Sequence, residues 1–199
     1  MKIIHIITGL SNGGAEAVLF RLATRDGNNC HQVISLMDAG YYGERLIAAG
    51  LQVHTLDMSR GRVTVSGITK LYKLLKVIKP DVVQTWMYHA DLIGGILARL
   101  AGIRTVIWGI RGPFNRQLTS LQTTVTIRLC ALLSKWIPSV VVSNSKHAAQ
   151  VHENVGYDSS KLVYIPNGYS FDEFRPIRKD GNAFRQEMDL GSETILLGM

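Results

Sequence analysis

A short apolar run followed by a longer segment with helical spacing recurs along most of the chain, and this alternation constrains the fold more than any other feature. The apolar runs fall at residues 3–7, 32–37, 52–56, 81–85, 105–108, 139–143 and 162–165. The intervening segments at 15–23, 42–49, 68–78, 90–100, 118–136 and 145–155 carry apolar residues at helical spacing, several of them stopping at Gly50, Pro80, Gly102 or Gly156. Runs such as Ile3-Ile4-His5-Ile6-Ile7 are apolar without alternation, as in parallel strands covered on both faces. Strands joined through helices require right-handed crossovers, so the predicted fold class is α/β, a doubly wound, Rossmann-like parallel sheet. Ligands of such sheets sit beyond the carboxyl ends of the strands, and the loops there are where chemistry is expected.

The pattern weakens after residue 165. Residues 166–178 are turn-rich and of mixed charge, a short polar helical segment follows, and residues 194–199 form a new apolar run. A lone terminal strand needs a sheet to join. The expected organisation is a Rossmann-like domain at 1–176, and at 177–199 a linker plus the first strand of a further domain.

Composition narrows the class. With 199 residues and 46% apolar residues the chain can bury a substantial core. Its 22 basic and 15 acidic residues leave a formal charge of +7, which favours phosphates, anionic headgroups or nucleic acid as partners. Cys30 and Cys130 lack the spacing of a disulfide framework or a metal site. The first apolar run is too short for a signal segment, and no run reaches the length of a membrane span. The expectation is a cytoplasmic chain that binds no metal and meets a membrane only from its surface.

Four loops carry candidate chemistry. After the first run, Thr8-Gly9-Leu10-Ser11-Asn12-Gly13-Gly14-Ala15-Glu16 sets paired glycines before a helix. Gly13 and Gly14 let backbone N–H groups approach an oxyanion at a positive helix end. The same pair also suits a tight turn with no ligand. Glu16 either complements the helix dipole or contacts a sugar hydroxyl. In the stretch from Asp81 to Asp91, Gln84, Trp86 and His89 are expected at a strand's carboxyl end, where an aromatic wall beside polar groups suits a sugar. The other reading packs Trp86 between elements and leaves His89 to cap the helix. Arg111, between Gly109 and Gly112, has the planar fork that clamps phosphate, or is a solvated surface arginine. Ser143-Asn144-Ser145 ends a strand and opens a helix, with Asn144 a candidate ligand or, like Ser145, a cap.

Arg60, Arg62, Lys70, Lys73, Lys76 and Lys79 cluster around Leu71, Leu74, Leu75 and Ile78, while Arg116, Arg128 and Lys135 flank a second apolar helix. Such a face either lies on an anionic membrane or is the solvated side of a core helix.

Gly13-Gly14-Ala15-Glu16, the stretch from Asp81 to Asp91, Ser143-Asn144-Ser145, and Val163-Tyr164-Ile165-Pro166-Asn167-Gly168-Tyr169 with Phe174-Arg175-Pro176 together resemble, in order and spacing, the family 4 retaining glycosyltransferases. The resemblance covers the chain but only the N-terminal half of that family. It implies the GT-B fold, two Rossmann-like domains around a cleft, with this chain as the acceptor-side half and the donor-binding domain beyond Met199. It implies transfer of a sugar, with retention, from a nucleotide-diphosphate sugar to a glycan or lipid-linked acceptor. No cofactor or metal is needed, because helix ends and basic side chains neutralise the leaving diphosphate. Gly13, Gly14, Glu16, Gln84, Trp86, Arg111, Asn144 and Asn167 become candidate substrate-binding residues. His89 becomes the catalytic candidate, because Gln84 and Trp86 stand where family members often carry a pair of histidines. An isolated half is expected to be inactive, and assembly of a surface polysaccharide or lipid-linked glycan is the expected setting.

Two other readings share parts of the pattern. A nicotinamide-dependent oxidoreductase or nucleotide-sugar modifying enzyme would share the strand, Gly-rich turn and helix, with Asp38 as a ribose-binding acid. Against it, Gly9, Gly13 and Gly14 do not make G-x-G-x-x-G. A basic module without enzymatic activity, binding membrane or nucleic acid, rests on the charge alone, and the aromatic residues are not interleaved as stacking platforms.

Overall fold

The computed structural model describes residues 1–59, 61–115, 117, 119–169, 171, 178–191 and 193–195. The chain divides into two compact units, Met1–Pro166 and Asn167–Met199.

In the first unit, seven strands run in chain order as β1 (Lys2–Ile7), β2 (Cys30–Ser35), β3 (Gln52–Thr55), β4 (Val82–Trp86), β5 (Thr105–Ile110), β6 (Val140–Ser143) and β7 (Leu162–Tyr164). The helices between them are α1 (Gly14–Arg25), α2 (Gly40–Ala48), α3 (Val65–Ile78), α4 (Tyr88–Leu100), α5 (Leu121–Leu133) and α6 (Lys146–Val155). Every pairing is parallel, in the order β3-β2-β1-β4-β5-β6-β7. This is the doubly wound, Rossmann-like sheet that the alternation predicts.

Both faces of the sheet are covered. Ile7, Val33 and Trp86 pack with Leu10, with Leu19 and Ala23 of α1, and with Tyr42 and Leu46 of α2. On the opposite face Ile4, Ile6, Val83, Val106, Trp108 and Val141 meet Leu71 and Leu75 of α3, Ala98 of α4, Ile127 of α5 and Ala148 of α6. The predicted segment 118–136 becomes a helix starting at Leu121, because the Ser120 hydroxyl accepts a hydrogen bond from Thr123 N and caps it. Thr64 caps α3 in the same way. Helix α6 is capped by Ser145, accepting from Ala148 N, rather than by Asn144.

β5 runs two residues further than predicted, since Gly109 and Ile110 pair with Val142 and Ser143. Gly109 permits this: a Cβ there would stand 2.8 Å from the carbonyl oxygen of Thr85. The second unit contains α7 (Arg178–Glu187). Of the predicted terminal strand, Thr194 and Ile195 are described and are not in a strand, and the remainder lies outside the described residues. So do Arg60, Arg116 and the Phe174-Arg175-Pro176 segment.

Because the neighbour of a Gly109 side chain is backbone, Gly109→Ala should lower stability by about 1–3 kcal/mol. Gly112→Ala, with nothing within 4 Å of the added Cβ, should leave the urea midpoint unchanged. Equal midpoints for both variants would remove the close approach as the reason for Gly109.

Candidate substrate site at the carboxyl edge of the sheet

The strand order reverses between β1 and β4, which are paired in parallel with Ile7 opposite Trp86. From β1 the chain leaves to α1 on one face of the sheet, and from β4 it leaves to α4 on the other. The two loops diverge, and the gap between them is the place where doubly wound sheets hold ligands. Helices α1, α4 and α6 all begin just after strands, so their positive ends lie along this edge.

The centre of the edge is a buried polar cluster. The Arg111 guanidinium lies 4.0 Å from the centre of the Trp86 ring, a cation–π contact that fixes the fork in place. Trp86 itself is fully buried. The indole therefore offers no open wall to a sugar, contrary to the expectation for this residue; it is the plate on which Arg111 rests. Beside them Asp91, also fully buried, accepts from the Thr85 hydroxyl at 2.5 Å and from Gly109 N at 3.3 Å through Oδ1. Its Oδ2 is buried and unpaired among the described residues. Burial pushes the Asp91 carboxyl up to about 7, against the opposing pull of Thr85, Gly109 and Arg111. Burial lowers Arg111 to about 10, offset by Asp91, so the guanidinium stays charged at neutral pH.

Between Trp86 and α4 stands Met87, with φ 71° and ψ 155°. This is a region that glycine occupies almost alone and that costs a side-chain-bearing residue on the order of 1–3 kcal/mol. Its N–H donates to Gly109 O and its carbonyl accepts from Asp91 N, so β5 and α4 hold the strained turn. Backbone strain of this kind clusters at working sites.

The loop after β1 is built differently from its sequence expectation. Gly13 caps α1 in extended conformation, φ −146°, and Gly14 opens the helix; neither has the left-handed backbone that would require glycine. A Cβ on Gly14 would meet nothing within 4 Å. Neither position is a tight turn that requires glycine: Gly13 lies against the Glu16 carboxylate, and Gly14 has open space beside it. Glu16 is buried in the first turn, accepts from Ser11 Oγ at 3.3 Å, and brings Oε2 to 2.5 Å from where a Gly13 Cβ would stand. Its carboxylate folds over the helix end, so this loop offers an acceptor for hydroxyls as well as N–H donors.

His89 sits in the first turn of α4, where Met87 and not His89 is the cap. Its Nε2 is buried without a partner among the described residues, and burial lowers its pKa, leaving the imidazole neutral. Gln84 is level with His5, two residues before the end of β4, hence roughly 7 Å below the edge. Asn144 follows β6, two strands from β4, and its Oδ1 is buried and unpaired among the described residues. Asn167 opens the second unit and is described with it. The structure thus brings together Trp86 and Arg111, sets the glycine loop and His89 after the two strands that flank the gap, and leaves Gln84 below it and Asn144 to one side. Thr8 Oγ1 and Ser35 Oγ, at the ends of β1 and β2, are also buried and unpaired among the described residues. Among those residues no group of three or more His, Cys, Asp or Glu could hold a metal ion.

Sequence reasoning missed Asp91 as the centre of this cluster, and missed a row of side chains behind Trp86. Trp86 Nε1 lies 3.2 Å from His5 Nδ1, His5 Nε2 lies 2.9 Å from His31 Nδ1, and His31 Nε2 lies 3.0 Å from Asp26 Oδ2. The available signal was a histidine inside a wholly apolar parallel strand, which has to find a partner there.

A model of glycosyltransferase family 4 matches residues 12–173. The chain belongs to that family. A curated relative, the UDP-Gal:alpha-D-GlcNAc-diphosphoundecaprenol alpha-1,3-galactosyltransferase of Escherichia coli, is 26% identical over 140 residues, covering 66% of this chain and 34% of that protein. Anabaena HepE in complex with UDP superimposes with a TM-score of 0.78 at 20% identity, over 95% of this chain and 50% of HepE. A UDP-N-acetylglucosamine 2-epimerase from Rickettsia bellii has the same fold at a TM-score of 0.58 and 15% identity, over 96% of this chain and 52% of the epimerase. The family 4 chain described here spans about a third of the curated relative and half of each of these two structures. Its sheet is one Rossmann-like half of the GT-B fold.

The buried Asp91 carboxyl of this family 4 protein carries a measurable consequence. Its proton is held more tightly in the folded chain, where the group titrates near 7, than at its ordinary value of 3.8. The stability it contributes is fully present below about pH 4 and is lost as pH rises through about 7. Asp91→Asn cannot ionise, so its stability relative to the parent should rise between pH 4 and pH 7, by on the order of a few kcal/mol. Urea unfolding at pH 4, 5.5 and 7.5 reads this difference; one that does not change with pH would show that Asp91 stays charged.

Proposed function

We propose that this chain is the acceptor-side half of an enzyme that transfers a sugar, with retention, from a nucleotide-diphosphate sugar to a glycan or lipid-linked acceptor. The observation that carries the reading is the crevice between β1 and β4, where two helix ends, a glycine pair free of backbone need and a fixed guanidinium meet. Such a crevice binds oxyanions. Membership in family 4, the UDP held by HepE, and the UDP-galactose and diphosphoundecaprenol in the name of the Escherichia coli relative support the same chemistry.

In this reading the N–H groups at Gly13 and Gly14 and the Arg111 guanidinium stabilise phosphate charge, and that charge is balanced without a metal ion. Glu16, Gln84, Asn144 and Asn167 take hydroxyl or amide contacts of the substrates, with Trp86 acting through Arg111. His89, neutral and with a free Nε2 among the described residues, hydrogen-bonds the reacting sugar or acceptor. The donor's own phosphate oxygen assists attack on the face that the diphosphate leaves, which gives retention. Residues 1–176 form the acceptor-side domain and residues 177–199 lead into a donor domain, without which this half is inactive.

The chain, extended past Met199 in its native reading frame, should turn over one donor from a panel of nucleotide sugars. Gly14→Val should reduce that turnover by on the order of 100-fold while circular dichroism stays unchanged, since a Cβ at this position meets nothing within 4 Å. No turnover with any donor, together with tight NAD binding, would replace this reading by the oxidoreductase.

Peripheral contact with an anionic membrane at its cytoplasmic face belongs to the same proposal. No helix among the described residues is long and apolar enough to cross a membrane. A groove of about 510 Å³ on α3 is lined by Ser66, Thr69, Lys70, Lys73, Leu74 and Val77, and α5 with its exit leaves Leu121, Leu132 and Trp136 exposed. Basic and apolar groups together suit a lipid headgroup layer. Lys73→Glu with Lys76→Glu should abolish flotation with phosphatidylglycerol vesicles while circular dichroism stays unchanged; undiminished flotation would place the contact elsewhere.

A further inference from the structure

The row of side chains behind Trp86 has a direction. An indole N–H can only donate, so at 3.2 Å His5 Nδ1 must accept from Trp86 Nε1. His5 is fully buried and its pKa is lowered to about 3 by burial, and then by His31 and Arg111, so the ring is neutral and carries its proton on Nε2. That N–H donates to His31 Nδ1 at 2.9 Å, between ring planes only 6° apart with centroids at 5.1 Å. His31 Nδ1 is thereby an acceptor, its proton sits on Nε2, and this donates to Asp26 Oδ2 at 3.0 Å. Asp26 is held well ionised, at about 2, by hydrogen bonds from the Asn29 side chain and Asn28 N–H together with His31. One donor-only group thus sets both histidine tautomers.

The row also has a position. Asp26 is the C-cap of α1, His31 is the second residue of β2 and level with Ile3, His5 is level with Gln84, and Trp86 is level with Ile7. The relay climbs the sheet from its amino edge to its carboxyl edge and stops at the ring that carries Arg111. A buried polar row costs more than apolar residues of the same volume unless it fixes one arrangement. Here the arrangement is the rotation of the indole, with its edge tied to His5 and its face under the guanidinium.

We propose that Asp26, His31 and His5 are positioning residues of the site: through a one-way hydrogen-bond relay they lock the Trp86 ring so that Arg111 is held at the β1–β4 crevice ready for an oxyanion. The role of the oxyanion rests on the reading under Proposed function; the locking of Trp86 and Arg111 does not.

The test is nuclear magnetic resonance on this chain, with the three indole N–H signals assigned by Trp86→Phe and the Arg111 Nε–Hε signal by Arg111→Lys. The Trp86 indole should exchange slowly, and the Arg111 Hε should be shifted upfield by the ring beneath it. His5→Leu and His31→Leu keep side-chain volume but break the relay; each should speed indole exchange about tenfold and move the Arg111 signal towards that of a free arginine. His5→Asn, which returns an acceptor near the Nδ1 position, should restore slow exchange where leucine does not. Should His5→Leu not fold, His31→Leu and Asp26→Ala, cut at the half-buried end, read the same signals. Titration with inorganic pyrophosphate should give a Kd about tenfold weaker in His31→Leu, with little further loss when Arg111→Gln is added. Unchanged indole and Arg111 signals in the folded relay variants would overturn the proposal. No pyrophosphate binding by the parent chain, with the signals moving as expected, would instead count against the phosphate reading and leave the relay standing.

Discussion

The pairing of β1 with β4 is the constraint from which the site follows. Once Ile7 is set opposite Trp86 in a parallel sheet, right-handed crossovers send the chain to opposite faces, and the loops after these two strands cannot close on one another. An opening forms that no side chain has to be spared to make. Its rim carries helix N-termini by the same geometry, because each crossover helix starts where a strand has just ended. What remains for evolution to choose is the set of polar groups on the rim.

Those groups are tied to the strands beneath them by hydrogen bonds and ring contacts. Asp91 ties β4, β5 and the first turn of α4 together through Thr85 and Gly109, and Met87 is kept in a strained turn by bonds to the same elements. On the other face, the histidine row fixes Trp86, and Trp86 supports Arg111. Buried networks of this kind are costly when incomplete and rigid when satisfied. Several rim atoms nevertheless lack partners among the described residues: Thr8 Oγ1, Ser35 Oγ, His89 Nε2, Asp91 Oδ2 and Asn144 Oδ1.

Much of the fold was legible in the residues. Strands such as β1 and β6 are apolar on both faces, and helix α6 begins at Ser145, one of the two caps that the sequence offers. Local chemistry decides such features, so sequence reports them. The site was legible only in outline. Arg111 and the Gly13-Gly14 loop fall at the crevice as expected, but Trp86 reads as a ligand wall and is a buried support. His5 reads as an interruption in an apolar strand and is the middle of a relay. Gln84 belongs to the right strand yet stands below its end. Each difference concerns what a side chain meets across the sheet, and no local pattern encodes that.

By itself the sequence determined the alternation of strands and helices, several helix exits, and the family to which the chain belongs, because these depend on residue type and on spacing along the chain. Only the tertiary structure decided that β1 adjoins β4, that Gly109 must lie against Thr85, and that Asp26, His31, His5, Trp86 and Arg111, drawn from five separate segments, form one continuous row. Burial is what makes the difference. A histidine or carboxyl group in water has no preferred partner, whereas one inside a sheet must find its hydrogen bonds among whichever strands the topology sets beside it.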